Sequence, residues 1–594
     1  MEKICFSAII IFSTLLSASS ASGSDLTKRG AYTMPYLRYD SQQSQYGAGA
    51  VQVSAPDFNP ASPASEASNQ EYVDLVSQGA CISWTATQAA DGITIRFTLP
   101  DAEKGGGTKA DLELSINGKV VKSVGITSHW AYQYMLKGVP EKMPTPGRQA
   151  IMRFDEVRFL VPGGVKKGDT IKLTNKKGAH AGIDFIELEQ VEPAIKKPKD
   201  ALSVTDFGAR PNSGTDALDA FKACIEAAYK QNKSVYIPEG EFQLSDKLEL
   251  NLSGTSIFGA GMWYTTVFFT SEAAGKGGFV ANASDLYLGH MFVNCNNTTR
   301  MDNGKNRSYK CISGTWRGQS HIEYLWENHF TVGIWTAGYQ GEKPTNGLKV
   351  NNVRLRNNYA DGVNFAHGSS NCTFEYSDVR NCGDDCLASF SSSSAIMTQP
   401  NRNNTFRWNT VEFGWRASGI GMFGGGGHKI YNNYVGEMVG ASGLRFVSDF
   451  PGSPFEPENP MEVYNCTFYK CGSRQTLYDQ IYGALEFHGK GYQVCNMYVH
   501  DIDVIDSQVD AIRMVGDKVS GLVFKNINIR GTGKDNRTMT VGDNQSYRGA
   551  GIFCDKKFKS DNECSATFIN VKFDDCPDGN VLNIGNSYKL TFKQ

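Results

Sequence analysis

The chain has 594 residues, too many for one ordinary domain, and 40% hydrophobic with 11% aromatic residues is enough for a large core. A net charge of −2 excludes the strongly basic surface of a nucleic-acid binder. Gly, at 62 residues, exceeds the usual share of about 7%, and Asn, Gly, Ser, Thr, Val and Tyr dominate the second half, so the composition points to an all-β protein rich in turns.

The opening MEKICFSAIIIFSTLLSASSAS predicts a signal peptide over 1–21. Lys3 supplies the positive end, Ile4 to Leu16 an apolar run too short to span a bilayer, and Ser19-Ser20-Ala21 a small-residue cleavage site. Export to the periplasm, the cell surface or the medium is expected, and no later stretch reads as a membrane span. Fourteen Cys become 13 once the signal is removed. Their scattered spacing has no paired CxxC modules and argues against zinc; they are expected as small buried hydrophobes, with disulfides left open.

Residues 24–190 read as a β-sandwich. ITIRFTLP, DLELSINGKVV, EVRFLV, DTIKLTN and GIDFIELEQV alternate apolar and polar residues, with Gly, Lys and Asp turns between them. DGITIRF, the LELSINGK hairpin, SHWAYQY and the closing AGIDFIELEQV resemble carbohydrate-binding modules of families 6 and 35. That likeness makes Trp130, Tyr132 and Tyr134 candidates for stacking on sugar rings, against the alternative of packing on the next domain. Residues 191–200, VEPAIKKPKD, form a Pro- and Lys-rich linker.

From 201 the pattern changes. Thr215 or Asp216 caps a helix to about Gln231, with Ala217, Phe221, Cys224, Ile225 and Ala228 on its apolar face. This opening resembles the start of the pectate-lyase-like right-handed parallel β-helix, where a helix plugs the first coil. A repeat then runs through 201–594: a small residue, an aliphatic, any residue, then Phe or Met. It appears at Asp361 (DGVNF), Ser418 (SGIGM), Ser442 (SGLRF), Gly483 (GALEF) and Asp510 (DAIRM), and with one residue inserted at Asp385 (DCLASF). Asp361 to Asp385 and Ser418 to Ser442 are both 24 residues. That length fits one coil of a parallel β-helix and is too short for a propeller blade of about 40. Asn-rich phrases before the repeats supply turns with left-handed backbone.

The spacing puts Asp361 and Asp385 at equivalent points on neighbouring coils, about 4.8 Å apart by strand geometry. Asp384 is an extra carboxylate entering from the turn after Gly383. A bend at Cys382-Gly383 lets Asp384 and Asp385 reach the same face. Crowded carboxylates raise one pKa and so provide the acid and the base that glycoside hydrolysis requires. A lone GDD fits an Asx turn or a calcium site; GDD one coil after ADG favours catalysis.

ADGVNF, RNCGDDCLASFSS and NNTFRWNTVEFGWRASGIGMFGGGGHKIYNNYVGEMVGASGLRFVSDFPGSPF resemble glycoside hydrolase family 87, the α-1,3-glucanases (mutanases) and mycodextranases. The resemblance implies an inverting enzyme on α-1,3-glucan with catalytic Asp361, Asp384 and Asp385; endo action is expected, with exo action and mixed α-1,3/1,4-glucan left open. Within that set it implies Asp384 as general acid and Asp361 and Asp385 as the pair that activates water. DDCLA is also similar to the polygalacturonases of family 28. Their NTD triplet is Tyr359-Ala360-Asp361 here, and no basic run lines the strands for a polyuronate. A non-catalytic glycan-binding β-helix is the rival of a different class.

Strand parity turns the variable repeat positions Asn364, Arg445, Glu486 and Arg513 outward as candidate sugar contacts. Trp415 (a candidate stacking platform), Asp449, His367, His428 and His488 fall in or near turns on that side. The histidines lack metal-ligand spacing. The expected chemistry needs no cofactor, and a structural calcium stays open. The expected partner is an α-glucan polysaccharide, with no nucleic acid, and the protein is expected to be a monomer.

Overall fold

The structure, a computed structural model, describes residues 33–594 except 57–60, 135–140, 303–304, 307, 338–342, 392–398, 451, 453, 476–479, 542–544 and 558–560. The expected signal peptide lies outside the described residues.

Two antiparallel sheets, of six and five strands, occupy Tyr36–Glu189. Ile93, Ile95, Leu112, Leu114, Ile171 and Leu173 point into the layer between them and are fully buried. The last strand, Ala181–Glu189, is buried at every residue although its pattern alternates. The alternation marks two buried faces of different chemistry. The apolar face closes the sandwich, and the polar face packs on the second unit. Arg96, on that outer face, lies over the Phe413 ring at 4.3 Å and pairs with Asp184.

From Ala201 the chain winds as a right-handed parallel β-helix, with parallel sheets of 20 and 12 strands. The helix Leu218–Gln231 covers the first coil, and Ala217, Phe221, Cys224, Ile225 and Ala228 are buried. Ala217 is the boundary residue. The cap contact comes one position earlier, where Asp216 Oδ1 accepts from the Leu218 N–H at 3.1 Å. Asn residues take the left-handed turn in coil after coil, among them Asn357 (φ 57°) and Asn381 (φ 58°), and the Asn381 side chain donates to Asn357 Oδ1 at 2.7 Å. The 13 described cysteines are all free, and Cys382 and Cys386 sit in the core.

The repeats form the 12-stranded sheet. Val363 pairs with Leu387, Asn364 with Ala388 and Phe365 with Ser389. The residue read as an insertion in DCLASF is therefore not one: Ser389 takes the inward place that Phe365 holds. It stays satisfied there because the Asn401 and Asn404 side-chain amides donate to its hydroxyl at 3.0 and 3.3 Å.

Candidate active site

A single outward row crosses the coils of that sheet. Trp335 pairs with Asn364, then come Ala388, Gly421, Arg445, Glu486 and Arg513 in register. The small side chains at 388 and 421 leave a depression in the row. Around it runs a groove of about 470 Å³ lined by Asp384, Asp385, Arg300, Arg416, Arg445, Asp449, Tyr482 and His488, among others.

Asp361 and Asp385 stand on neighbouring coils because the coil between them has the unbroken register. The Gly362 N–H donates to the Asp385 carbonyl at 3.2 Å and the Val363 N–H to the Cys386 carbonyl at 2.9 Å. Asp384 joins them through a bend. The Gly383 N–H is shared between the carbonyls of Asn358 (2.9 Å) and Ala360 (3.1 Å), which draws the chain inward just before the pair. One oxygen from each of the three carboxylates lies within 4.8 Å of the others. Asp361 and Asp385 are 7% and 6% exposed. Asp384 is the open member, with 31% of its side chain exposed.

Their charges differ by surroundings. Burial, then Asp384 and Asp385, pushes Asp361 well above the usual carboxylate range. Burial, then Asp384, pushes Asp385 up to about 7, against the Ser418 N–H that donates to its Oδ1 at 3.0 Å. Asp384 runs the other way. Burial raises it, but Arg300, then Arg416, outweigh burial and hold it below its ordinary value. Arg300 Nη2 is 2.6 Å from Asp384 Oδ2. Below about pH 7 the site thus favours protons on the two buried aspartates and negative charge on the open one. Two guanidiniums supply the balancing positive charge.

The other expected residues divide. Asn364 is buried beside Asp361 and hydrogen-bonds to it. Arg445 and Asp449 line the groove, with the Arg445 guanidinium 4.9 Å from the Tyr482 ring centre and 4.0 Å from Glu486. Glu486 is 3% exposed and accepts from the Gly483 N–H at 3.1 Å. Arg513 is on the same row but is not free for sugar: it is buried, donating to Asp510 at 2.6 Å and to the Tyr547 hydroxyl at 3.0 Å. Trp415 is not a platform. It is buried with Met152 and Tyr359 beneath the bend. Of the sandwich aromatics Tyr134 is buried and Trp130 and Tyr132 are half-buried. Trp130 stacks on His329 at 4.4 Å and donates to the Cys295 carbonyl at 3.2 Å; Tyr132 donates to the Leu99 carbonyl at 2.6 Å and Tyr134 to Asp101 at 3.0 Å. They serve packing, the alternative the sequence left open.

Two family models match the chain, the α-1,3-glucanase catalytic domain D1 over residues 33–191 and the α-1,3-glucanase catalytic domain D2 over residues 213–452. The crystal structure of the Agl-KA catalytic domain is 36% identical and superposes with a TM-score of 0.89, covering 96% of this chain and 100% of that one. The chain belongs to glycoside hydrolase family 87, the α-1,3-glucanases. The same fold recurs in the catalytic unit of a thermostable family 87 α-1,3-glucanase from Streptomyces thermodiastaticus strain HF3-3 (23% identity, TM-score 0.74, 95% of this chain and 96% of that one). It recurs again in a family 87 catalytic domain in complex with nigerose (20% identity, TM-score 0.77, 95% and 99%). No curated protein sequence matches the chain.

In this family 87 glucanase three site residues escaped the sequence reading. Arg300 pairs with Asp384, the charge of Arg416 helps to hold that carboxyl ionised, and Tyr482 lines the groove. Arg416 sits in the quoted FGWRASGIG phrase, beside the Trp that drew attention. Gly421 carried a usable signal: it is a glycine at an outward repeat position, and a Cβ there would lie 2.7 Å from the Asp385 carboxyl. Arg300 had none, since NNTTRMDNGK shows no period and no charge pattern.

Proposed function

We propose that the protein is an exported, monomeric, endo-acting glucanase that opens α-1,3-glucosidic bonds with inversion and without a cofactor. The observation that carries this is the meeting of Asp361, Asp384 and Asp385, one oxygen of each within 4.8 Å of the others. A supporting one comes from the solved relatives. Four of them are aspartate-to-alanine variants with nigerose or tetrasaccharides, at three positions: an adjacent pair and one preceding that pair by the interval that separates Asp361 from Asp384.

Asp384, open to the groove, gives its proton to the leaving oxygen. Asp361 and Asp385 hold the attacking water between neighbouring coils and take its proton. Asp384 is ionised in the free site, so it has to gain a proton when sugar enters. Sugar covers it and strips its water, and burial is the influence that raises its pKa. The proton comes from the buried pair, within 4.8 Å.

The test uses a substrate whose leaving group needs no protonation, an α-glycosyl fluoride, beside α-1,3-glucan. Asp384→Asn keeps activity on the fluoride and loses it on the glucan, whereas Asp385→Asn loses both. The opposite pattern moves the acid role to Asp385. A second reading, retention, is favoured by one observation: the closest oxygens lie within 4.8 Å, nearer the ~5 Å of a retaining pair than the ~6.5–9.5 Å of an inverting pair. The anomer first seen by NMR decides, β for inversion and α for retention. Reducing-sugar release from α-1,3-glucan, nigeran, dextran and polygalacturonate sets specificity, and product lengths distinguish endo from exo action.

A further inference from the structure

The segment that carries Arg300 is held from both units: on the β-helix side the Asn297 amide donates to the His329 carbonyl at 3.4 Å and the Tyr359 hydroxyl to the Asn297 carbonyl at 3.3 Å, while Thr298 to Met301, next to Arg300, are held from the sandwich. The Gln133 side chain donates to the Thr298 carbonyl at 3.1 Å and accepts from the Thr299 hydroxyl at 3.1 Å. The Glu141 N–H donates to the Met301 carbonyl at 3.3 Å, and Lys142 Nζ to the Thr298 hydroxyl at 3.3 Å. Trp130 ties down the start of the segment at Cys295. Gln133 and Thr299 are fully buried, so no sugar in the groove touches them. From the far end of this segment Arg300 makes two contacts with the catalytic bend. Nη1 donates to the Gly383 carbonyl at 3.0 Å, and Nη2 meets Asp384 Oδ2 at 2.6 Å.

We propose that the sandwich is a working part of the active site: through Gln133 and Thr299 it fixes the 297–301 segment, so that Arg300 clamps the Gly383–Asp384 bend at one angle. Arg300 and Gln133 are positioning residues. A clamp that holds both a backbone carbonyl and the next side chain leaves Asp384 little freedom, and catalysis falls steeply when a reacting group drifts by about 1 Å. The arrangement also explains the place of Trp130, which faces the unit it helps to position.

The inference rests on the reading of Asp384 as catalytic, so Asp384→Asn is measured alongside. Full activity there overturns that reading; loss there leaves the inference to be decided by the other variants. Kinetics on soluble α-1,3-linked oligosaccharides are taken across pH for Arg300→Met, Gln133→Ala and the Arg300→Met/Gln133→Ala double variant, with Thr299→Val as the milder cut of the same bond. Arg300→Met is expected to lower kcat about 100-fold with KM changed less than about 3-fold. Gln133→Ala and Thr299→Val each lower kcat about 5- to 20-fold, and the double variant is no slower than Arg300→Met alone, because both cuts release one clamp. The pH profile separates this from general loosening. Asp384 faces Arg300 and Arg416 on one side and Asp361 and Asp385 on the other; Arg300 faces Asp384, Asp361 and Glu141. Removing the Arg300 charge lets Asp384 bind its proton at higher pH, so the limb that Asp384 governs moves upward. Strictly additive losses, an unmoved limb in Arg300→Met, or full kcat in Thr299→Val would each overturn the proposal. If Gln133→Ala does not fold, Thr299→Val and its double with Arg300→Met carry the test.

Discussion

The indole of Trp415 occupies the place that a side chain at residue 383 would need: a Cβ on Gly383 would stand 2.0 Å from Trp415 Cζ2 and 2.4 Å from the Tyr359 carbonyl oxygen. The glycine before the aspartate pair is thus required by packing. Gly383→Ala is expected to cost about 1–3 kcal/mol of stability from overpacking and, by moving Asp384, at least about 100-fold in kcat. Trp415→Ala is expected to cost about 3–5 kcal/mol through the cavity it leaves. Its kcat falls while KM holds, read from steady-state kinetics on soluble oligosaccharides. A stacking platform would show the reverse, a raised KM and a small change in melting temperature.

Gly421 tests the acid cluster without touching it. Its backbone is ordinary strand, so alanine fits the chain, but the methyl would lie 2.7 Å from Asp385 Cγ. Gly421→Ala should lower kcat about 10- to 100-fold by turning the carboxyl aside. The far-UV spectrum should stay unchanged and the melting temperature move only a few degrees. An unchanged kcat would mean Asp385 has no fixed role.

Asp385 also couples stability to pH. Its folded pKa of about 7 lies above the unfolded value of 3.8. Its contribution is therefore fully present below about pH 4 and is lost as pH rises through 7, where ionisation costs the folded state. Asp385→Asn removes that cost. The variant should melt above the parent at pH 8, by the equivalent of roughly 2–4 kcal/mol, with the gap shrinking toward pH 4. Thermal melts across that range check it.

The join between the two units is a second pH-sensitive feature. Arg380, fully buried on the β-helix, meets Glu156 at 2.6 Å and Glu187 at 2.6 Å, both from the sandwich, and Arg356 meets Glu156 at 2.9 Å and also pairs with Asp378. Burial would raise Glu156, but Arg380, then Arg356, outweigh it and hold the carboxyl at about 2, below the usual 4.5. Its stabilisation is present above pH 4.5 and is lost as pH falls toward 2. Arg380→Met takes one of the two guanidiniums from Glu156 and the nearest one from Glu187, both buried, and should cost about 3–5 kcal/mol. Because the sandwich holds the Arg300 segment, activity should fall in parallel with the melting temperature as the two units part.

The local part of this protein could be read directly. A period of 24 residues, Asn-rich turns and a small–aliphatic–x–aromatic element are properties of neighbouring positions, and they place Asp361 beside Asp385 with no knowledge of the rest. The bend at Gly383 could be read too, because two adjacent acids cannot share one face of a regular strand. The outward positions were legible by parity, though parity alone does not distinguish Arg445, which lines the groove, from Arg513, which is taken up by Asp510 and Tyr547.

What the tertiary structure decided concerns residues far apart in the chain. For Trp415 and Trp130 the sequence left stacking on sugar and packing both open, because an apolar ring has the same local pattern beside solvent as beneath another domain. Only the docking of the sandwich on the β-helix shows that Trp130 lies against His329 and that Met152 packs on Trp415, and only the stacking of the coils puts Trp415 under Gly383. Arg300 reaches Asp384 across a separation in sequence over which no periodic signal persists. The ionised state of Asp384, against the raised pKa values of Asp361 and Asp385, follows from which guanidiniums fold against each carboxylate. The sequence determined that three carboxylates share a face, through strand period and turn chemistry. Which of them carries the charge was decided in three dimensions, because electric fields depend on distance through the fold rather than along the chain.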